Sequence, residues 1–115
     1  MLDVKGSIDN LSTTVTRHFA HIKNQHEFIR AWAVQFELAY TDFRVIEMAL
    51  QLSGDAQHPL LAEFAAAYDA VYKYEYAFAG GGLEGFNQQF GNQIDDYEKA
   101  KDHLLEVIEK VKAVD

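Results

Sequence analysis

The chain has 115 residues, of which 49% are apolar and 24% are charged, and its formal net charge is −8. This composition is typical of a single globular domain, here residues 1–115, that can bury its own core. The absence of cysteine and of any long apolar run excludes disulfides, thiolate metal sites, cysteine nucleophiles and a transmembrane helix. The opening sequence MLDVKGSIDN lacks the apolar region of a signal peptide, so we expect a cytoplasmic protein.

Two helices are predicted in the first half of the chain, over residues 5–22 and 25–52. Apolar residues there recur at steps of three and four, which is the spacing of one face of an α-helix. Asn24 is a suitable N-cap for the second helix, and Glu27 follows three residues later, as in a capping box. Because the apolar register continues across this point, one continuous helix is the alternative.

Two further helices are predicted after the sequence SGDAQHP at residues 53–59, which is typical of a turn. The one proline of the chain, Pro59, suits the first position of a helix. Apolar spacing then predicts helices over 59–79 and 86–113, although Gly85 and Gly91 weaken the first turns of the last helix, so that we expect its regular part to start near Asn92. Four amphipathic helices with short connections form an antiparallel up-down four-helix bundle, which is the all-α fold class that we predict.

Gly80, Gly82 and Gly85 follow the G-x-G-x-x-G spacing of a dinucleotide-binding loop. Such a loop requires a strand before it, for which the alternating aromatic residues of 71–78 are a candidate, and a second parallel strand after it. The sequence after Gly85 has helical spacing and offers no second strand. We therefore predict a mobile loop over 80–91, with Gly80 as the C-cap of the preceding helix and with no nucleotide site.

His18, His21 and His26 lie close together in the sequence and invite a metal-binding interpretation. His18 and His21 can share one face of a helix, which is a known spacing for metal ligands. However, neither the Glu-x-x-His pattern of di-iron bundles nor the His-Glu-x-x-His pattern of zinc proteases occurs. His58 and His103 fall too far along the predicted bundle to complete the site. We predict no metal and no cofactor, with His18 in the helix seam and the other two exposed.

No catalytic constellation is evident in the sequence. The serines lie in no G-x-S-x-G element, and the neighbours Asp95 and Asp96 point about 100° apart on a helix, so they cannot share a proton. Glu75 lies at the margin of an apolar stripe, where we expect it to reach water or to pair with Lys73 or Arg44. A semi-buried Glu75 among tyrosine hydroxyls, with a shifted pKa, is the alternative. We predict no enzymatic activity.

The negative charge is concentrated in one part of the chain. Residues 54–98 contain eight acidic residues and one basic residue, for a net charge of −7. Such a segment repels phosphate backbones, so we do not expect direct binding of nucleic acid. The same charge favours a basic partner, although solubility alone also explains it.

The predicted second helix carries two apolar stripes, whereas a peripheral bundle helix usually shows one. The second stripe lies roughly 150° around the helix from the first, and tyrosines at four-residue spacing on the next helix suit the rim of an interface. We predict that this surface contacts a second copy or a partner protein; its burial as a broad wedge within one chain is the alternative. The predicted interface residues are Val34, Leu38, Val45, Leu52, Tyr68, Tyr72 and Tyr76.

Together these patterns predict a small acidic binding or regulatory module that acts through protein–protein contacts. An inhibitor or immunity-type protein directed against a basic partner fits them, and so does a homodimer. A helical bundle that carries a metal or a cofactor is the alternative.

Overall fold

The computed structural model describes residues 3–27, 30–53 and 59–114, with side chains in the second range from residue 34 onward. Within these ranges the chain is an antiparallel four-helix bundle without strands, which confirms the predicted fold class. None of the described helices is both long enough and apolar enough to cross a membrane. The helices are α1 (Lys5–Lys23), α2 (Arg30–Leu52), α3 (Pro59–Phe90) and α4 (Ile94–Lys112).

Each helix packs against the next one in the chain and α4 also packs against α1, so the core lies between all four helices, with α2 and α4 on opposite sides of α1 and α3. The apolar stripes predicted from three- and four-residue spacing supply it, because such residues share one face of a helix. Aromatic rings form a large part of this core and replace the leucine layers common in bundles. Its largest fully buried side chains are Tyr68, Tyr97, Phe64, Phe78, Phe86, Leu11, Ile22, Ile46, Leu50, Leu104, Ile108 and His18.

The turn after α1 separates the first two helices, so the single continuous helix does not form. The N–H of Gln25 donates to the carbonyl of Ile22 (3.0 Å), and the N–H of His26 donates to that of His21 (3.1 Å). This is the Schellman pattern, and Gln25 takes the left-handed position, with φ of 60°, that glycine usually occupies. The prediction that Asn24 caps the second helix is therefore wrong, because Asn24 is the C-cap of α1.

The glycine-rich segment is helical, contrary to the predicted loop with a C-cap at Gly80. Helix α3 continues to Phe90 and is broken only at Gly82, where φ is 67° and ψ is −165°. L-residues strongly disfavour this region of backbone space, so glycine at this position allows the helix to kink and resume. Residues 71–78 are also helical, so the strand that a dinucleotide loop requires is not formed there.

The two connections on either side of α3 were predicted in part. Helix α3 begins at Pro59, as predicted, while 54–58 of the preceding turn lie outside the described residues. After Phe90, the N–H of Gly91 donates to the carbonyl of Asn87 (2.9 Å), and α4 begins at Ile94. Acidic residues in the first turn of α4 and lysines in its last turn complement the helix dipole.

Candidate functional site

A buried ion-pairing contact joins α1 to α3 in the core. Nδ1 of His18 lies 3.1 Å from Oε1 of Glu75, and the two residues are 1% and 2% exposed. The His18 ring packs against Phe36 of α2, with centroids 4.1 Å apart. Buried charged groups are costly unless they are paired, so this contact is the most unusual feature of the core.

The sequence predicted one member of this pair correctly. His18 was expected in the helix seam, and it is there. Glu75 was expected to reach water or to pair with Lys73 or Arg44, and this is wrong; the alternative of a buried Glu75 with a shifted pKa agrees with the structure. Its position could have been read from the spacing, because Phe64, Tyr68, Val71, Glu75 and Phe78 follow steps of four, three, four and three.

Burial raises the pKa of the Glu75 carboxyl, although the hydrogen bond and the charge of His18 oppose this shift. Burial also raises the pKa of the Tyr68 and Tyr97 hydroxyls, and the negative charge of Glu75 adds to the shift in both. Neither hydroxyl has a hydrogen-bond partner among the described residues. Glu75, Tyr68 and Tyr97 therefore carry polar groups that are buried in an otherwise apolar core.

A cleft of about 450 Å³ opens between α2 and α3 directly above Glu75. Volumes of roughly 300–1,000 Å³ are typical of small-molecule sites. The cleft lies toward the end of the bundle that holds the α1–α2 turn and the kink at Gly82. Its lining residues are Phe36, Glu37, Tyr40, Thr41, Tyr72, Glu75, Tyr76 and Ala79.

Aromatic rings dominate the walls of this cleft. The centroids of Tyr40 and Tyr72 are 6.2 Å apart, and those of Tyr72 and Tyr76 are 6.0 Å apart. Tyr72 also contacts the buried Tyr68, which is stacked on Phe43 at 4.2 Å. The exposed Tyr72 thus packs on buried aromatic side chains of the core, and this packing limits the rotamers that Tyr72 can adopt.

Comparison with protein families, with curated proteins and with solved structures finds no match to this chain.

Most of the predicted interface residues lie on the surface. Val34, Leu38 and Leu52 are 56%, 55% and 69% exposed, and Val45 is exposed as well. Of the three tyrosines, Tyr72 and Tyr76 are exposed and line the cleft. Tyr68 departs from the expectation because it is buried in the core. The spacing of four residues rotates each tyrosine by about 40° around α3, which is enough to place Tyr68 inside and Tyr76 outside.

The histidines near the α1–α2 turn do not converge on one point. His18 bonds to Glu75, whereas Nδ1 of His21 lies 3.3 Å from Nδ1 of His26. Nε2 of His21 contacts the carbonyl oxygen of Glu27 at 3.0 Å. The described residues contain no group of three or more potential metal ligands, and His58 lies outside them.

Proposed function

We propose that this protein is a binding module that docks on a basic partner protein through the outer face of α2 and α3. An inhibitor or an immunity-type protein acts in this way, by covering a functional surface of its target. The observation that carries the proposal is the distribution of exposed apolar side chains. In the described part of the chain, all the large apolar residues classed as exposed lie on α2 or α3: Val34, Leu38, Tyr40, Val45, Met48, Leu52, Tyr72 and Tyr76.

Helix α2 carries a second apolar stripe in addition to the one that packs into the core. Val34, Leu38, Val45 and Leu52 are spaced by four and seven residues, so they form one stripe on the side of α2 that faces away from Phe43 and Ile46 of the core. Clusters of exposed apolar side chains of this kind are uncommon on monomeric proteins and mark interaction sites. The exposed tyrosines beside the stripe add the side-chain type that is enriched at such sites.

Charge favours a basic partner over a second copy of the chain. Helices α2 and α3 contain seven acidic and three basic residues, for a net charge of −4, whereas α1 and α4 contain seven of each. A symmetric dimer through the α2–α3 face would bring two negative surfaces together, which disfavours association. A basic surface would instead be attracted to it and oriented by it.

The cleft lining lacks the paired nucleophile and base that many enzymes use. Its hydroxyl groups belong to Thr41 and to tyrosines, and the His18 imidazole lies beneath the surface, behind Glu75 and Phe36. The carboxyl groups of Glu37 and Glu75 also line the cleft, but its described lining contains no histidine paired with a hydroxyl, as a nucleophile and its base would be. These features support binding, without catalysis, as the role of this face.

The proposal is tested by placing a charge on the apolar stripe. Leu38→Glu should keep the helical circular dichroism and the melting temperature, because Leu38 is 55% exposed. It should also abolish capture of the partner from an extract of the native host. Ala20→Glu adds the same charge to an exposed position of α1 and is the matched control, which should retain the partner.

Three results would count against the proposal. Equal capture by both variants would place the interface elsewhere. A captured protein that is acidic would contradict the charge argument. A wild-type dimer in light scattering that Leu38→Glu converts to a folded monomer would assign the surface to self-association instead.

A further inference from the structure

We infer that the cleft between α2 and α3 binds a small organic cation that carries an alkylammonium group. The inference rests on the chemistry of the cleft lining and does not depend on the docking of a protein partner. Three features carry it: aromatic rings around the opening, two carboxyl groups, and no basic residue among the described residues that line it.

The aromatic walls are suited to a cation. Phe36, Tyr40, Tyr72 and Tyr76 contribute four rings to one cleft, and consecutive tyrosine centroids are about 6 Å apart. The face of an aromatic ring carries partial negative charge and attracts a cation within about 6 Å of its centroid. Several rings around one point form the kind of cage that recognises alkylated ammonium groups.

The carboxyl groups supply the opposite charge. Glu75 forms the floor, and its Oε1 contacts Nδ1 of His18, which leaves Oε2 as the acceptor for a ligand. The Nδ1–H group of His18 donates to Oε1, so the ring satisfies one carboxyl oxygen of Glu75 from the side opposite the cleft. Glu37 adds a second acidic group near the opening. A bound cation would offset the cost of keeping an ionised Glu75 away from water.

The volume and the depth of the cleft favour a free small molecule as the ligand, and not a side chain of a partner protein. A volume of about 450 Å³ accommodates a complete small ligand and exceeds what one alkylammonium head group fills. Glu75 is 2% exposed, so the charged floor lies below the surface that a docked protein would touch.

Calorimetric titration of the full chain with choline tests the inference. We expect a dissociation constant on the order of 0.1–1 mM, which is reasonable for a ligand of this size. The control ligand is 3,3-dimethylbutan-1-ol, which has the same shape without the charge, and it should bind at least about tenfold more weakly. Equal binding of the two ligands, or no binding of choline, would overturn the inference.

Substitutions of Tyr76 separate the aromatic face from simple apolar contact. Tyr76 is 66% exposed, so its replacement should leave the fold intact. Tyr76→Leu should weaken choline binding by about tenfold, whereas Tyr76→Phe keeps the ring and should stay within about twofold of the wild type. Equal affinities of the two variants would refute the cage.

Glu75→Gln keeps the shape of the floor and removes its charge, so it should also weaken choline binding by about tenfold or more. Leu38 does not line the cleft, so Leu38→Glu should bind choline like the wild type even if it loses a protein partner.

A peptide that contains trimethyl-lysine is the last comparison. If this peptide binds and choline does not, the cleft binds a side chain of a partner protein, and the inference of a free small-molecule ligand is wrong.

Discussion

At the scale of single residues, Glu75 and His18 occupy core positions that bundles usually give to apolar side chains. The pair connects α1 to α3, and both residues are buried, although Glu75 also lines the cleft between α2 and α3. Replacing buried charged pairs with apolar residues often stabilises a protein, so stability alone does not explain a histidine and a glutamate at these positions. We instead connect the pair with the ligand binding that we propose for the cleft, which Glu75 lines.

Glu75→Gln should change the pH dependence of stability. Burial raises the pKa of folded Glu75 above its ordinary value of 4.5. Below that value the carboxyl is protonated in both states, and its contribution to the free energy of unfolding is fully present. As the pH rises through the folded pKa, the unfolded chain releases the proton more readily and this contribution is lost. The glutamine side chain cannot ionise. The free energy of unfolding of Glu75→Gln, relative to that of the wild type, should therefore increase from pH 4 toward neutral pH.

Urea unfolding across this pH range measures the effect. Glu84→Gln, at an exposed position of the same helix, is the matched control and should follow the wild type. If the difference in the free energy of unfolding between Glu75→Gln and the wild type shrinks with rising pH, the prediction is wrong. The contact with His18 would then stabilise the ionised carboxylate by more than burial destabilises it.

At the scale of elements, backbone conformation at two positions decides how the helices connect. Gln25 adopts a left-handed conformation that ends α1, and Gly82 adopts a conformation that kinks α3 without ending it. Across the bundle, the Nδ2 group of Asn87 donates to Oε1 of Gln25 (2.8 Å). The turn after α1 is thereby connected to the part of α3 that follows the kink.

Alanine substitutions at Gly82 and Gly80 should shift stability in opposite directions. Gly82 has a positive φ, so Gly82→Ala should lower the free energy of unfolding by about 1–3 kcal/mol. Gly80 lies in the regular part of α3, so Gly80→Ala should raise it by about 0.4–1 kcal/mol. A Cβ atom at either position would meet no atom within 4 Å, so crowding does not confuse the comparison. Thermal unfolding of both variants is the measurement, and shifts of the same sign would contradict the kink.

At the scale of the whole molecule, the bundle has two different halves. The α1–α4 half is balanced in charge, while the α2–α3 half is acidic and carries the exposed apolar side chains. Helix α4 packs against α1 and α3, and its apolar stripe is buried, whereas α2 leaves a second stripe uncovered. This asymmetry separates the surface that stabilises the fold from the surface available for binding.

Leucine truncations in the two halves should therefore have unequal effects. Leu104 of α4 is fully buried, so Leu104→Ala should lower the free energy of unfolding by about 2–5 kcal/mol. Leu52 at the end of α2 is 69% exposed, so Leu52→Ala should change it by no more than about 0.5 kcal/mol. Urea denaturation compares the two. A large loss from Leu52→Ala would place the second stripe of α2 in the core.

The apolar spacing was sufficient to predict the four helices, the bundle and the outward-facing stripe of α2. Spacing reports which residues share a face of one helix, and the face with the most apolar residues is the one that packs. The same local information placed His18 in the seam. It could not show that α1 ends at a turn through Gln25 or that α3 continues past Gly80, because a glutamine in a left-handed turn and a glycine in a kink leave no distinctive pattern.

Contacts between helices required the tertiary structure. Spacing alone could not show that Glu75 of α3 meets His18 of α1, or that Tyr40 of α2 faces Tyr72 and Tyr76 of α3, because these residues are brought together only by packing. The burial of Tyr68 has the same origin, since Phe43 from α2 covers its ring. Local sequence determined which faces are apolar, and only the packing of four helices decided which of those faces are covered and where an aromatic cleft with two carboxyl groups remains between them.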